Sequence, residues 1–443
     1  METLSQLVAT ASSFVWGAPM LILLVGTGLF LTIRLRGMQF WALGHAFKLI
    51  FRREENAQGE ISHFAALMTA LAATVGIGNI VGVATAISFG GPGAVFWMWI
   101  TGLVGMATKY SEAVLAVKYR KEGENGMKGG PMYYLTYGAK LPWLGFAFAI
   151  FTVLASFGIG NMTQSNAVAS VLSHQLDIPT WISGLVLLTL TSFVILGGIK
   201  SIGRFTSFLV PFMIAIYVLT ALLIITMNLD SVADAFGLIF YHAFNPIAAG
   251  GGFAGAAVAA AIRYGIARGV FSNESGLGSA PIAAAAAKTD DPVKQALVSM
   301  TQTFIDTLVV CTMTALIILM APMWTQGVAA GELTLLSFEH YLGTFGGIVV
   351  TLATILFAYS TLLGWSYYGE RAFEFLFGER SVKVYKVLFV SAVLIGAMVE
   401  LKFAWNFSDL ANGLMAIPNL IALLLLSKVI STETKRYFRE LKA

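Results

Sequence analysis

The chain has 443 residues, 57% of them apolar and only 11% Asp, Glu, Lys or Arg, with a mean hydropathy of +0.79. Soluble domains carry about twice that share of charge, so a water-soluble enzyme is excluded. No Walker A loop is present and the crossings leave no room for an ATP-hydrolysing domain, while the net charge of +4 reads as membrane anchoring rather than nucleic-acid binding.

At about 20 residues per crossing, apolar stretches near 18–33, 62–90, 93–118, 142–171, 180–198, 205–228, 253–287, 294–321, 343–368, 384–401 and 406–428 predict about eleven transmembrane helices, an all-α polytopic membrane protein. Amphipathic pieces lie at 38–52 and 231–244. Glu2 stands where a signal peptide would carry basic residues, and Arg34 and Arg36 follow the first stretch, which predicts an uncleaved first helix with its N-terminus outside. Loops at 172–179, 229–252 and 322–342 contain no Lys or Arg, and only Arg263, Arg268 and Lys402 depart from a cytoplasmic placement of the basic residues. This asymmetry predicts a multi-pass protein of the cell membrane with a cytoplasmic tail. The one cysteine, Cys311, permits no intramolecular disulfide, and the five histidines show no ligand spacing.

The second stretch is long: some 29 residues would rise about 43 Å against a hydrocarbon core of about 30 Å. At its centre stand Ala72, Ala73, Thr74, Val75, Gly76, Ile77, Gly78 and Asn79. Two glycines flanking one residue let the backbone leave the helix, freeing carbonyls that suit a cation and N–H groups that suit a carboxylate. The same small residues also suit a packed helix seam.

Two hundred residues on, Gly276, Leu277, Gly278 and Ser279 echo Gly76, Ile77, Gly78 and Asn79, and Ala84, Ala86 and Pro92 recur as Ala284, Ala286 and Pro292. Five crossings separate the copies, so the second runs through the membrane in the opposite sense, the arrangement of inverted-repeat transporters. The predicted organisation is an extra N-terminal helix and amphipathic helix at 1–60, a first five-helix repeat at 61–228, an outer connection at 229–252, a second repeat at 253–428 and a tail at 429–443. The seventh stretch places Ser272, Asn273, Glu274, Ser275 and Ser279 before Pro281, which suits the first turn of a restarting helix. Glu274 is an ionisable group near the midplane whose candidate partners are Arg268, a substrate ammonium or a proton, or it caps the restarting helix while pairing with Arg268.

The run from Arg268 to Pro281 resembles the signature of the alanine or glycine:cation symporter family. Thr74 to Asn79, the loop Gly129 to Tyr134 and the run Gly158 to Asn161 resemble it too. The resemblance implies a LeuT-like fold of five plus five helices with one extra at the N-terminus, and sodium-coupled import of alanine or glycine by alternating access. More distantly, Val75 to Asn79 is similar to the unwound helix of LeuT-like neurotransmitter:sodium symporters, which implies that Ala72 and Val75 carbonyls, with Ser360 and Thr361, bind a sodium ion. Read without the resemblance, Ser360 and Thr361 are equally hydroxyls bonded to carbonyls a turn earlier.

Asn161 and Gln164 share a helix face at i and i+3, placed either to bridge helices or to contact substrate. Trp365, with Phe271, either narrows the pocket to a small side chain or marks an interface. The expected substrate contacts are thus Thr74, Gly76, Ile77, Gly78, Asn79, Asn161, Gln164, Phe271, Ser272, Asn273, Gly276 and Trp365. Lys109, Glu112 and Asp306 read as structural ions or a gate, and Glu370, Arg371 and Glu374 as a solvated helix end. The nearest rival is a proton-coupled carrier using Glu274; no enzymatic constellation, nucleic-acid partner or obligatory protein partner is expected.

Overall fold

The computed structural model describes residues 2–52, 54, 56–123, 126–245, 254–399 and 401–442. The end of the outer connection and the first residue of the seventh stretch, 246–253, lie outside them.

The second stretch starts where the Ser62 hydroxyl caps the helix His63–Thr74 by accepting from the Ala65 N–H at 3.2 Å. That helix stops before Gly76, whose backbone is extended (φ −136°, ψ −155°). The chain resumes through the turn Ile77–Asn79 and the helix Val81–Gly90, bent by 59°. The seventh stretch breaks in the same manner. Helix Ala254–Asn273 ends at Glu274 (φ 56°), Gly276 and Gly278 hold φ of 92° and 81°, and Pro281 opens the short helix Pro281–Ala284.

Six other helices are long and apolar enough to cross a membrane: Pro142–Leu176, Gly198–Met227, Pro292–Met320, Thr344–Phe377, Glu379–Met398 and Phe403–Leu425. Counting bent pairs as single spans brings the number to eight among the described residues. The shortfall from eleven has a physical cause. Ala94–Lys118 carries buried Lys109 and Glu112, and Ala254–Asn273 carries Arg268 and the start of the polar run, so charge and polarity lower their apolar character; Thr180–Ile195, though apolar and largely exposed, is short. The first stretch also differs from expectation, because a helix Glu2–Val15 precedes Ala18–Arg34 at an angle of 45°. Trp16 joins this pair to Leu401–Leu425 by donating to the Asp409 carbonyl at 2.8 Å.

On the Lys/Arg-rich side the two broken helices are clasped by main-chain pairing. Glu60 and Ile61 N–H groups donate to the Ala286 carbonyl (2.8 and 3.2 Å), Lys288 N–H to Ile61 (2.7 Å) and Thr289 N–H to Gln58 (3.0 Å), a parallel strand-like pairing. Arg120 covers it by donating to the carbonyls of Ala285, Ala287, Gln58 and Thr289 at 2.6–3.0 Å. Gly59 sits in this pairing at φ 134°, where a Cβ would lie 2.4 Å from the Ala287 oxygen. Gly59→Ala is therefore expected to destabilise the protein by about 1–3 kcal/mol. Thermal unfolding in detergent checks this against Gly44→Ala, whose Cβ meets nothing within 4 Å.

The tail segment forms the helix Ser427–Glu440, pinned to the same side by Lys118–Glu433 (2.5 Å), Arg436–Asp291 (3.0 Å) and Tyr110–Thr434 (2.7 Å).

Candidate functional site

The two breaks meet at Asp306. This residue lies in the π-turn Phe304–Cys311 within Pro292–Met320, an irregularity of the sort that marks functional helices. Its carboxylate accepts from Asn79 Nδ2 (2.8 Å) of the first break and Ser272 Oγ (2.9 Å) of the second, as well as from Thr307 Oγ1 (2.8 Å). Asn79 also accepts from the Gly76 N–H at 3.0 Å, and Asn273 donates to Thr307 at 3.1 Å. All of these groups are buried. The sequence marked Asp306 as ionisable but offered no partner, because its donors come from two stretches remote in the chain.

A cluster of oxygens spans the first break and the helix Thr344–Phe377. Ser360 Oγ lies 3.1 Å from the Ala72 carbonyl and 3.5 Å from that of Val75, and Thr361 Oγ1 lies 3.1 Å from Ala72. Both hydroxyls also lie 2.9 Å from the Phe357 carbonyl, one turn earlier. The back-bonding arrangement and the convergence on the broken helix thus coexist. Five neutral hard oxygens in one buried place suit a small monovalent cation that must bind and leave.

Beside this cluster the backbones come close. A Cβ on Gly76 would stand 2.5 Å from Thr361 Oγ1 and 3.5 Å from Gln164 Oε1; one on Gly78 would stand 3.1 Å from Ser272 Cα and 3.3 Å from the Phe271 ring. Gln164 donates to the Ile159 carbonyl at 2.9 Å, leaving Oε1 buried without a partner among the described residues. Gly76, Ile77, Gly78, Gln164, Phe271, Ser272 and Thr361 are therefore assembled in one place. Other expected residues point elsewhere. Asn161 donates to the Phe389 carbonyl (2.7 Å), bridging to Val382–Met398; Thr74 faces Gln302 (3.1 Å); and Gly276 sits against Leu24 and Leu420.

Arg268 does not pair with Glu274. It forms an ion pair with Asp409, and its guanidinium lies 5.2 and 5.1 Å over the rings of Phe271 and Trp405, which stack at 4.7 Å. Trp405, stacked in this group, also borders a cavity of about 560 Å³ on the side of the Lys/Arg-free loops, which reaches Ile77 of the site and is bounded further out by His174 and Glu332. Glu274 instead accepts from Ser279 (2.6 Å) and Trp365 Nε1 (2.7 Å). Trp365 is fully buried, packed against Gly160 of the π-turn Gly158–Met162 and edge-on to Tyr368.

A family model described as the sodium:alanine symporter family matches residues 1–443. The chain belongs to that family. It is 54% identical to the sodium/alanine symporter AgcS of Methanococcus maripaludis, over 98% of this chain and 97% of that one. The probable sodium/glutamine symporter GlnT of Bacillus subtilis is 37% identical, covering 100% of this chain and 92% of its own, and the amino-acid carrier protein AlsT of the same organism 36%, covering 99% and 93%. Among solved structures, MhsT in complex with L-phenylalanine superposes with a TM-score of 0.64 at 14% identity, over 83% of this chain and 89% of that one, which establishes a LeuT-like fold. This family member is an integral membrane protein and a cation-coupled amino-acid transporter, not an enzyme.

In this symporter-family chain the second break is held from behind. Glu112 Oε1 accepts from the N–H groups of Gly276 (3.0 Å) and Gly278 (3.2 Å) and from Asn419 Nδ2 (2.7 Å). Asn419 in turn donates to the Gly276 carbonyl at 2.9 Å and accepts from Tyr134. Lys109, one turn before Glu112, is buried with no hydrogen-bond partner among the described residues. Glu370, Arg371 and Glu374 form no solvated end. They are 4% exposed, with Arg371 paired to both glutamates and Lys128 and Lys386 closing the network, because the turn after the helix folds back over it.

Gln164→Ala is expected to weaken substrate binding by about 1–3 kcal/mol, the loss usual for one buried polar partner, with folding retained. Equilibrium binding of labelled substrate to the purified variant checks this; unchanged affinity would assign Gln164 to helix bridging alone.

Proposed function

We propose that this chain is a sodium-coupled symporter that imports alanine or glycine across the cell membrane, with its N-terminus outside and its tail in the cytoplasm. The observation that carries the reading is the meeting of the oxygen cluster at Ala72, Val75, Phe357, Ser360 and Thr361 with the first break at Gly76. The amides of Ile77 and Gly78 head a helical turn and have no intrahelical acceptor, so they suit a carboxylate. The free Gln164 oxygen and the carbonyls at Phe271 to Asn273 suit an ammonium. Close approach of Gly78 to Ser272 and Phe271 leaves space for a small side chain. Sodium and substrate share the broken helix, so each favours binding of the other. The halves 61–228 and 253–428 rock about this point, with the Arg268–Asp409 lid facing outward and the Gly59 clasp inward.

Uptake of labelled alanine and glycine by liposomes tests the reading. Uptake should saturate, require an inward sodium gradient and fail with potassium. The rival reading couples to protons through Glu274, whose buried carboxylate no ion pair neutralises among the described residues. Glu274→Gln is expected to keep its sodium dependence; loss of pH dependence in that variant, with uptake indifferent to sodium, would replace sodium coupling by proton coupling.

A further inference from the structure

A second cavity, of about 800 Å³, opens on the Lys/Arg-rich face, away from the transport site. It lies between the clasp at Gly59 and Glu60, the start of the helix Gly198–Met227, and the turn from Thr344–Phe377 into Val382–Met398. Its acidic wall residues are already engaged. Glu370 binds Arg371 and Lys386 (both 3.2 Å), Glu379 binds Lys128, and Glu60 accepts from the Met127 N–H at 2.7 Å. Lys200, Lys288 and Lys383 line the same cavity and make no ion pair among the described residues.

Two further observations point to an anion. Gly198, Ile199 and Lys200 line the cavity as the first residues of a 30-residue helix, whose leading amides have no intrahelical acceptor. Arg371, whose side chain is 5% exposed, also lines it, and its Nε has no partner among the described residues. Free lysines, free amides and a buried guanidinium N–H around one space are the chemistry of a phosphate site.

We propose that this cavity binds a phosphate-bearing anion, and that the bound anion holds the clasp shut. Lys288 is itself part of the clasp, donating its N–H to Ile61, whereas Lys200 and Lys383 belong to two helices outside it. An anion held by all three ties the moving ends of the broken helices to the surrounding scaffold and favours the inward-closed state. Basic pockets between helices at a cytoplasmic face take anionic lipid headgroups, and a soluble phosphate offers the same group.

The test is independent of transport. Purified full-length protein in neutral detergent is titrated with phosphatidylglycerol, with phosphatidylcholine, or with inorganic phosphate at matched ionic strength. Thermal unfolding and amide exchange at 58–61 and 286–289 are followed. Phosphatidylglycerol or inorganic phosphate should raise the unfolding temperature saturably and slow exchange about tenfold in those segments, and phosphatidylcholine should do neither. A response to the lipid alone identifies a headgroup, and a response to inorganic phosphate identifies a soluble ligand. Lys200→Gln/Lys288→Gln/Lys383→Gln should abolish the response while unfolding at the parent's ligand-free temperature. No response to either anion, or an equal response in the triple variant, overturns the proposal whether or not the protein carries sodium and alanine.

Discussion

Thr361→Ala is expected to raise the sodium concentration for half-maximal uptake tenfold or more, about 1.4 kcal/mol, with little change in alanine affinity at saturating sodium. The hydroxyl lies 3.1 Å from the Ala72 carbonyl and 2.9 Å from that of Phe357, so its removal takes one oxygen from the proposed cation position and leaves the carbonyls in place. Ser360, at the next position and 3.1 Å from the same Ala72 oxygen, preserves the contact between the helices. Sodium titrations of uptake at several alanine concentrations separate an effect on the ion from an effect on the amino acid. An unaltered sodium curve in a well-folded variant would remove Thr361 from the cation position and leave its hydroxyl as a bond within its own helix.

The largest loss of stability is expected at Glu112. Truncation to alanine strands the N–H groups of Gly276 and Gly278 and the Asn419 amide around a vacated interior space, at a cost of about 3–5 kcal/mol. Glu112→Gln keeps an acceptor oxygen and should lose less. Unfolding of the detergent-solubilised variants measures both. If Glu112→Ala unfolds within about 1 kcal/mol of the parent, the second break is held by its own glycines and by Asn419 instead.

Glycines two apart in a long apolar stretch, and Pro281 after a polar run, marked both breaks in the sequence, because backbone freedom and helix restarts have local signatures. Ser360 and Thr361 were marked only by the resemblance to LeuT-like symporters, since pattern alone reads them equally as hydroxyls bonded to carbonyls a turn earlier. The partners that fix the site were less so. Asp306 gathers donors from Asn79 and Ser272, and Asp409 takes the arginine that proximity in sequence had offered to Glu274. Such pairings depend on which helices touch, and helix periodicity carries no information about that. Glu370 and Arg371 misled for a related reason: charge at a helix end reads as solvated unless the following turn is known to cover it. Trp365, expected at the pocket wall, has its indole N–H committed to Glu274.

The pairing of residues 58–61 with 286–289 joins main chain to main chain, so its hydrogen bonds do not depend on which side chains those residues carry. A conventional alanine scan across it would report on the packing around the joint, such as buried Ile61 and Thr289 or the Glu60 carboxylate that accepts from the Met127 N–H, and leave the joint's own bonds in place. Two positions bear on the joint directly: Gly59, where any Cβ collides with the opposite strand, and Arg120, which reaches in from just beyond the end of Ala94–Lys118. Amide-to-ester replacement or proline substitution at Ile61 or Lys288 would make the joint visible. In the proposed transport cycle the inner side opens by parting a joint made of main-chain bonds, so the mechanics there are set by the backbone and the chemistry by the side chains around it.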